Sequence, residues 1–241
     1  VFLSGLEASG EFEEINKRIP KYKYILCSFY YLRQEIFEKI LPKSDLMLID
    51  SGAHSFQKGK KVDWLEYTRK YAQWIKENDC DKIIGYFEMD VDNVIGYERV
   101  LELRKILESV TDKIIPVWHK NRGVDEFKKM CIQYSGRIIA ITGFKNEDIR
   151  DEQYLMFLKY AKKHNCKVHC LGMTRKKILD TVPFDFVDSS SWKQQSIYGR
   201  IGKRKVSKEY SKANRHIVMT ESFKLAMQMQ DRYEKKWQGV R

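Results

Sequence analysis

Residues 46–52, Leu46-Met47-Leu48-Ile49-Asp50-Ser51-Gly52, form a short apolar run that ends in an acid and a glycine. An amphipathic helical pattern follows over residues 64–78, and a second apolar run, over 83–88, ends in Glu88. A buried strand, a helix and another buried strand predict a βαβ unit with parallel strands. The fold of the chain depends on how often this unit repeats.

The same alternation continues on both sides of this unit. Apolar runs predict eight strands, at residues 2–6, 24–28, 46–50, 83–88, 114–118, 137–142, 167–171 and 185–188. Amphipathic patterns predict eight helices, at 11–18, 31–41, 64–78, 97–109, 125–134, 151–164, 175–181 and 220–237. No GxGxxG turn follows the first strand, so an open dinucleotide-binding sheet is not favoured. Eight βα units in 241 residues predict a single α/β domain over 1–241, a (β/α)8 TIM barrel.

Composition and charge limit the class of protein. The chain has 45 Lys and Arg residues against 33 Asp and Glu, a formal net charge of +12, and 43% of its residues are hydrophobic. These values indicate a globular protein with a polyanionic partner, most plausibly nucleic acid. No apolar run is long enough for a membrane span or a signal peptide, and the five cysteines are scattered. We therefore expect reduced thiols and a cytoplasmic location, either the bacterial cytoplasm or a phage-infected host cell.

Acidic residues lie at the ends of three predicted strands. Asp50 ends the third strand, Asp90 follows the fourth, and Asp188 ends the eighth. In a barrel the active site is built at the carboxyl ends of the strands, so these acids are expected to meet at one rim. Two carboxylates facing one sugar can act as nucleophile and as acid/base at an anomeric carbon. The alternative interpretation of each acid is structural: it caps the amino end of a helix or stabilises a turn.

Five sequence segments resemble the tRNA-guanine transglycosylases (queuine tRNA-ribosyltransferases). Residues 49–56, Ile49-Asp50-Ser51-Gly52-Ala53-His54-Ser55-Phe56, resemble their Asp-Ser-Gly-Gly-Phe-Gln segment, with Ala53-His54 in place of glycine-phenylalanine. Residues 184–189 are similar to the nucleophile strand of that family, and 87–90 to the strand whose Asp contacts the base. Residues 139–143 are similar to its glycine-bearing strand and 169–172 to the strand before the nucleophile. The order of the segments agrees over about residues 46–192.

The resemblance implies exchange of guanine in a polynucleotide for a 7-deazaguanine base. By this analogy Asp188 attacks C1′ of the nucleoside, and Asp50 is the general acid/base. The residues expected to bind the base are Asp90, Ser51, Gly52, His119, Gly143 and Gly172. The alternative interpretation of His119 is a residue at the rim of the barrel that is hydrogen-bonded within the protein and has no role in binding the base. No metal or other cofactor is expected, and because members of the family often pair, a homodimer is possible.

No cysteine lies beyond Cys170, so the zinc site that the tRNA enzymes carry near the carboxyl terminus is missing. The chain is also shorter than those enzymes, so it resembles most the compact phage-type members, which are implicated in inserting 7-deazaguanines into DNA. We therefore favour DNA as the polynucleotide, with tRNA as the next choice.

A strongly basic segment follows the eighth predicted strand. Between Trp192 and Ile217 eight basic residues stand against a single acid, Glu209. This pattern predicts a basic loop over about 193–216, inserted before a closing helix at about 220–238. A loop at the active-site rim is suited to holding phosphates and stacking on bases. The residues expected to do so are Lys193, Arg200, Lys203, Arg204, Lys205, Lys208, Trp192 and Tyr198. The alternative interpretation of the loop is a solvated surface stretch without a ligand. The alternative interpretation of Trp192 is a core residue that covers the barrel mouth.

Two other functions are compatible with the same residues. An N-glycosylase acting on nucleic acid or nucleosides, or a glycoside hydrolase, would use the same carboxylates with water as the acceptor. A non-catalytic nucleic-acid-binding barrel would act through the basic loop alone, leaving the acids at the three strand ends without a task.

Overall fold

Nine parallel strands form a sheet that is nearly closed into a barrel. The computed structural model describes residues 1–56, 62–142 and 149–239, except for the side chain of Gln195. The strands are β1 (Phe2–Ser4), β2 (Tyr22–Ser28), β3 (Ser44–Asp50), β4 (Ile83–Phe87), β5 (Ile114–Ile115), β6 (Val117–Trp118), β7 (Ile138–Thr142), β8 (Lys167–Leu171) and β9 (Phe186–Ser189). Their order in the sheet is β5-β4-β3-β2-β1-β9-β8-β7-β6. The α/β class and a parallel, barrel-like sheet are therefore confirmed.

Pro116 separates β5 from β6, where the sequence predicts one continuous strand. β5 pairs with β4, whereas β6 pairs with β7, so the two edges of the sheet lie on either side of this proline. Proline has no N–H group to donate to a neighbouring strand. Its carbonyl oxygen still accepts a hydrogen bond of 2.8 Å from the backbone N–H of Ala140 in β7. This break explains why nine strands are found and eight are predicted.

Helices cover the outer face of the sheet. The α-helices in the described residues are α1 (Phe12–Arg18), α2 (Gln34–Ile40), α3 (Trp64–Asn78), α4 (Asp92–Ile95), α5 (Tyr97–Glu108), α6 (Gly123–Gln133), α7 (Tyr154–Lys163), α8 (Lys176–Leu179), α9 (Ser191–Ile197), α10 (Lys208–Ala213) and α11 (Arg215–Trp237). Short 3-10 turns occupy Leu41–Lys43, Ala53–Phe56, Lys120–Arg122 and Asp151–Gln153. No helix in the described part of the chain has both the length and the apolar character needed to cross a membrane.

The apolar core is divided between the inside and the outside of the sheet. A buried cluster drawn from seven of the strands fills the inside: Phe2, Leu26, Leu48, Phe87, Ile115, Val117 and Ala140. Two larger clusters lie between the sheet and the helices, one around β1 to β5 and the other around β6 to β9. Because successive side chains of a strand point to opposite faces, the residues two positions further along each strand also line the inside of the sheet, as far as its carboxyl ends.

The basic segment is folded, which corrects the prediction of a loop. It contains α9, a two-stranded antiparallel hairpin of β10 (Arg200–Ile201) and β11 (Arg204–Lys205), and α10. Gly202, with a φ of +60°, begins the two-residue turn of the hairpin, which favours a residue without a Cβ. Ser207 caps α10 by accepting a hydrogen bond of 3.1 Å from the Tyr210 N–H. The closing helix begins at Arg215, earlier than predicted.

Candidate active site

Three carboxylates meet at one end of the sheet, which we call the mouth. Asp50 is the last residue of β3, Asp188 lies in β9, and Asp90 follows β4 by three residues. The strands are parallel, so their carboxyl ends all lie at this end. The negative charges of Asp90 and Asp188 both raise the pKa of Asp50, as expected for acids that lie at the same end of the sheet. The structure thus brings together the acids that the sequence places at strand ends.

Asp188 is held by a backbone amide and a histidine. Its Oδ1 accepts a hydrogen bond of 2.9 Å from the Gly172 N–H and lies 3.0 Å from His169 Nε2. His169 is fully buried inside the sheet, against the rings of Phe2 and Phe87. Its Nδ1 has no hydrogen-bond partner among the described residues, so we assign the proton to Nε2. Both hydrogen bonds reach Oδ1, and the Asp188 side chain is partly exposed.

Asp50 is set up to exchange a proton near neutral pH. Its Oδ2 accepts a hydrogen bond of 3.0 Å from the Gly52 N–H. Burial raises the pKa of Asp50 to about 7, although the Gly52 hydrogen bond opposes the rise. The charges of Asp90, Asp188 and Glu7 raise this pKa further. A carboxyl group with a pKa close to the working pH is suited to both giving and taking a proton.

The backbone conformation at position 52 and the close neighbours of this residue both require a glycine there. Its φ is +74°, a conformation that residues with a side chain rarely adopt. A Cβ at this position would lie 2.4 Å from the Cβ of Tyr30 and 2.8 Å from the Oγ of Ser28. Both neighbours belong to the end of β2 and the turn after it. The glycine thus lets the loop after Asp50 lie directly against the adjacent strand.

Replacing Gly52 with alanine is expected to destabilise the fold by about 3 kcal/mol, from the positive φ and the overlap together. Gly136 provides a matched control, because its φ is +79° but a Cβ there meets no atom within 4 Å. Gly136→Ala should cost only about 1 kcal/mol. Urea denaturation of both variants measures the difference, and equal losses of stability would show that the contact with Tyr30 is unimportant.

An ion-pair network surrounds Asp90. Its Oδ1 lies 2.7 Å from His119 Nε2 and 3.8 Å from a terminal nitrogen of Arg122. The Arg122 guanidinium is buried, with its Nε 2.9 Å from Asp92 Oδ2 and a terminal nitrogen 3.4 Å from Glu88 Oε1. Burial lowers the pKa of His119, but the hydrogen bond and the charge of Asp90 outweigh burial and raise it to about 8. His119 is therefore a candidate cation in contact with Asp90 at neutral pH.

Asp90, Asp92 and His119 also offer three potential metal-ligand atoms that all lie within 4.8 Å of one another. Arg122, however, places its guanidinium against both carboxylates. Its positive charge already compensates the negative charge that would attract a metal ion. We therefore interpret the group as an ion-pair network that orients Asp90 and His119.

Other residues expected to bind the base have structural contacts. Ser51 is buried, and its carbonyl oxygen accepts a hydrogen bond of 2.7 Å from the Tyr67 hydroxyl. The Gly172 N–H is used by Asp188. Gly143 lies outside the described residues. Ser51 and Gly172 thus support the loops and the carboxylates of the mouth.

Trp192 is buried and Lys193 is half-buried, and each side chain donates a hydrogen bond to a backbone carbonyl of the protein. Trp192 is 2% exposed, packs edge-on against Phe223 and donates an Nε1–H hydrogen bond of 3.0 Å to the Ser4 carbonyl. The Lys193 ammonium donates a hydrogen bond of 2.8 Å to the Ala8 carbonyl. The core position is therefore correct for Trp192, because a buried indole has no face free to stack on a base.

The remaining basic residues of the segment surround an open groove. The cavity has a volume of about 1000 Å³. Its basic lining residues, which define the basic groove, are Arg200, Lys205, Lys208, Lys212 and Arg215. Lys203 and Arg204 are exposed on the hairpin beside it, and Tyr198 is 76% exposed. Ser191, three residues after Asp188 in the chain, also lines the groove.

Glu7 is a further buried carboxylate near the mouth that the sequence pattern did not single out. Glu7 is 4% exposed, and its Oε1 accepts a hydrogen bond of 3.0 Å from the Ser28 N–H. Burial raises its pKa to about 7, and the backbone hydrogen bonds and the charge of Lys193 oppose the rise. Glu7 directly follows the first predicted strand, so the rule that selected Asp50 could have found it.

Comparisons of this chain with protein-family profiles, curated proteins and solved structures find no match.

Proposed function

We propose that the protein exchanges guanine in a polynucleotide, DNA in preference to tRNA, for a 7-deazaguanine base. One observation carries the proposal. Asp50, with a pKa of about 7, shares the mouth with Asp188, a partly exposed side chain whose two hydrogen bonds are both made through Oδ1. A proton-exchanging carboxyl group next to a carboxylate with a free oxygen is the pair that displacement at an anomeric carbon requires. The sequence resemblance to the tRNA-guanine transglycosylases supports the same assignment.

The proposed reaction has two steps that mirror each other. In the first, Asp188 Oδ2 forms a bond to C1′ of the target nucleotide while the bond from C1′ to guanine breaks. Guanine leaves with the electron pair and takes a proton from Asp50. In the second, the incoming base loses a proton to the Asp50 carboxylate, its nitrogen bonds to C1′, and the ester to Asp188 breaks. The proton on Asp50 is restored, so the cycle needs no cofactor.

Base recognition is assigned to Asp90 and His119. Both side chains are partly exposed at the mouth and joined by a hydrogen bond. A carboxylate accepts hydrogen bonds from the N–H groups of a guanine-like base, whereas a histidine N–H can donate to an oxygen. The resemblance gives the same role to Asp90 and adds the backbone of Gly143.

The basic groove is proposed to bind the polynucleotide. Its arginine and lysine side chains are suited to phosphates on both sides of the target nucleotide.

For the fold we propose an eight-stranded (β/α)8 barrel forming one domain, with β5 and β6 as two halves of one strand and residues 193–216 as an insertion. A homodimer and a cytoplasmic location also remain proposals.

The test is to incubate the protein with radiolabelled guanine, or a labelled 7-deazaguanine, and either duplex DNA or tRNA. We expect the label to appear in DNA. Label in tRNA alone would show that the polynucleotide substrate is tRNA and not DNA. Loss of guanine from the polymer without incorporation would indicate a glycosylase instead. Binding that is insensitive to both Asp50→Ala and Asp188→Ala, without either reaction, would indicate a non-catalytic binding protein.

A further inference from the structure

The end of α9 exposes two neighbouring apolar side chains. Ile197 is 57% exposed and Tyr198 is 76% exposed, the highest value for a large apolar side chain in the described residues. Exposed pairs of this kind cost solvation free energy and often mark a binding surface. We call Ile197 and Tyr198 the wedge.

The wedge is held on a fixed support. Trp192 and Ser196, on the other face of α9, are buried, and Trp192 packs against Phe223 of α11. The hairpin after the wedge is also attached to α11, because the buried Ser222 hydroxyl donates a hydrogen bond of 3.2 Å to the Arg200 carbonyl. Since both ends of the turn that carries the wedge are anchored, its exposure is imposed by the fold.

The surroundings of the wedge suit a polyanion. Both wedge residues line the basic groove, which also contains five basic residues and one acid, Glu209. α9 begins at the mouth and, at seven residues, is about 10 Å long. The wedge therefore lies about one helix length from the carboxylates of the mouth. An apolar protein partner would not require this excess of positive charge, whereas a nucleic acid would.

We propose that the wedge enters a DNA duplex and fills the space left when the target guanine turns out towards the mouth. The proposal rests on the proposed base exchange, because that chemistry requires the target base to leave the helix. Extrusion of a paired base costs the energy of pairing and stacking. An aromatic or aliphatic side chain inserted between base steps replaces part of the lost stacking, while basic side chains hold the backbone.

The first experiment measures unstacking without relying on exchange. Duplexes carry 2-aminopurine next to each guanine, and its fluorescence rises when the neighbouring base leaves the stack. We expect a rise of several-fold with the wild-type protein and with Tyr198→Phe, and almost none with Tyr198→Ala, because the stacking surface is lost. Affinity for the duplex should change by less than about tenfold, because phosphate contacts dominate it.

The second experiment compares exchange of labelled guanine on three DNA substrates. Tyr198→Ala should lower exchange about tenfold on a paired duplex and restore it when the target guanine is mismatched, because a mismatched base costs less to extrude. Exchange on single-stranded DNA should stay within about twofold of the wild type, since no pairing must be broken. Met156→Ala removes a side chain of α7 that is 65% exposed and lies outside the basic segment, and it should leave all three rates unchanged.

The outcomes separate the two proposals. The proposed insertion of the wedge is wrong if the Tyr198→Ala protein still raises the fluorescence. It is also wrong if this substitution lowers exchange equally on paired, mismatched and single-stranded DNA. Absence of exchange on every substrate, together with a fluorescence rise that depends on Tyr198, would overturn the base exchange and keep the wedge. Absence of both would overturn both.

Discussion

Replacing Asp188 with asparagine is expected to lower the exchange of labelled guanine into DNA by at least about a thousandfold, because an amide cannot serve as the nucleophile. The variant should fold normally. The asparagine Oδ1 can still accept the hydrogen bonds from the Gly172 N–H and from His169 Nε2, which hold Asp188 in the native protein. The measurement is the initial rate of exchange at saturating DNA.

The covalent intermediate provides an independent readout. A protein–DNA adduct should survive denaturation with the wild-type protein and be missing with Asp188→Asn. Asp125→Asn is the matched control, because Asp125 is an exposed aspartate on α6 and should be fully active. If Asp188→Asn kept full exchange activity, the nucleophile would have to be another group.

The second large effect is expected at Asp50. Asp50→Asn removes the general acid/base and should lower exchange by about 10²- to 10⁴-fold. In the wild type, formation of the adduct needs the protonated carboxyl group, so its rate should fall as the pH rises through about 7. His119, with a pKa of about 8, adds a second inflection. Single-turnover rates between pH 5.5 and 9 should therefore lose the inflection near 7 in Asp50→Asn and keep the one near 8.

The same substitution is expected to stabilise the fold at alkaline pH. The pKa of Asp50 is raised in the folded protein, from 3.8 to about 7, so the folded state holds a proton that the unfolded state releases. Stability is therefore lost as the pH rises from about 4 through about 7, by up to roughly 4 kcal/mol. Asp50→Asn should recover much of this loss at pH 8.5, seen as a higher midpoint of urea denaturation.

The variant Glu7→Gln distinguishes the effect of Asp50 on the pH dependence of the rate from its effect on the stability of the fold. It removes another buried carboxyl group with a pKa of about 7, and it should also stabilise the fold at high pH. It should keep the inflection of the rate, moved slightly to lower pH, because the charge of Glu7 contributes to the raised pKa of Asp50. An inflection that vanished in Glu7→Gln and persisted in Asp50→Asn would assign the proton transfer to Glu7.

The strand ends were the most predictable part of this protein. A short apolar run that ends in an acid specifies both a buried parallel strand and the end at which its carboxylate lies. Asp50 and Asp188 were therefore placed correctly without knowledge of any contact. The predicted strand at 167–171 was confirmed without change, and the helix at 64–78 likewise. The strand is a short apolar run and the helix a long periodic pattern, and in both cases the local pattern decides the element.

Residues whose role depends on tertiary contacts could not be assigned in the same way. Trp192 lies in a basic, polar stretch, and its tertiary contacts, such as those with Phe223 of α11 and Ser4, make it a core residue. The segment after it forms strands of two residues, too short to give a hydrophobic period. Glu7 is a residue type that is usually exposed, and its burial depends on the neighbouring strand. Arg122 gained its role from three acids separated from it by 30 or more residues.

The position of β1 in the sheet has a consequence for the order of folding. β1 lies between β2 and β9, so one of its two neighbours is made only after most of the chain has been synthesised. The contacts beside it are also remote in sequence: Trp192 with Ser4, and Gln230 with Val1 and Tyr24. Pairings of such separation must overcome a large loop-closure entropy, which makes folding slow. On the ribosome β1 therefore keeps one edge unpaired until β9 emerges, and the mouth, which requires Asp188, cannot be complete before then.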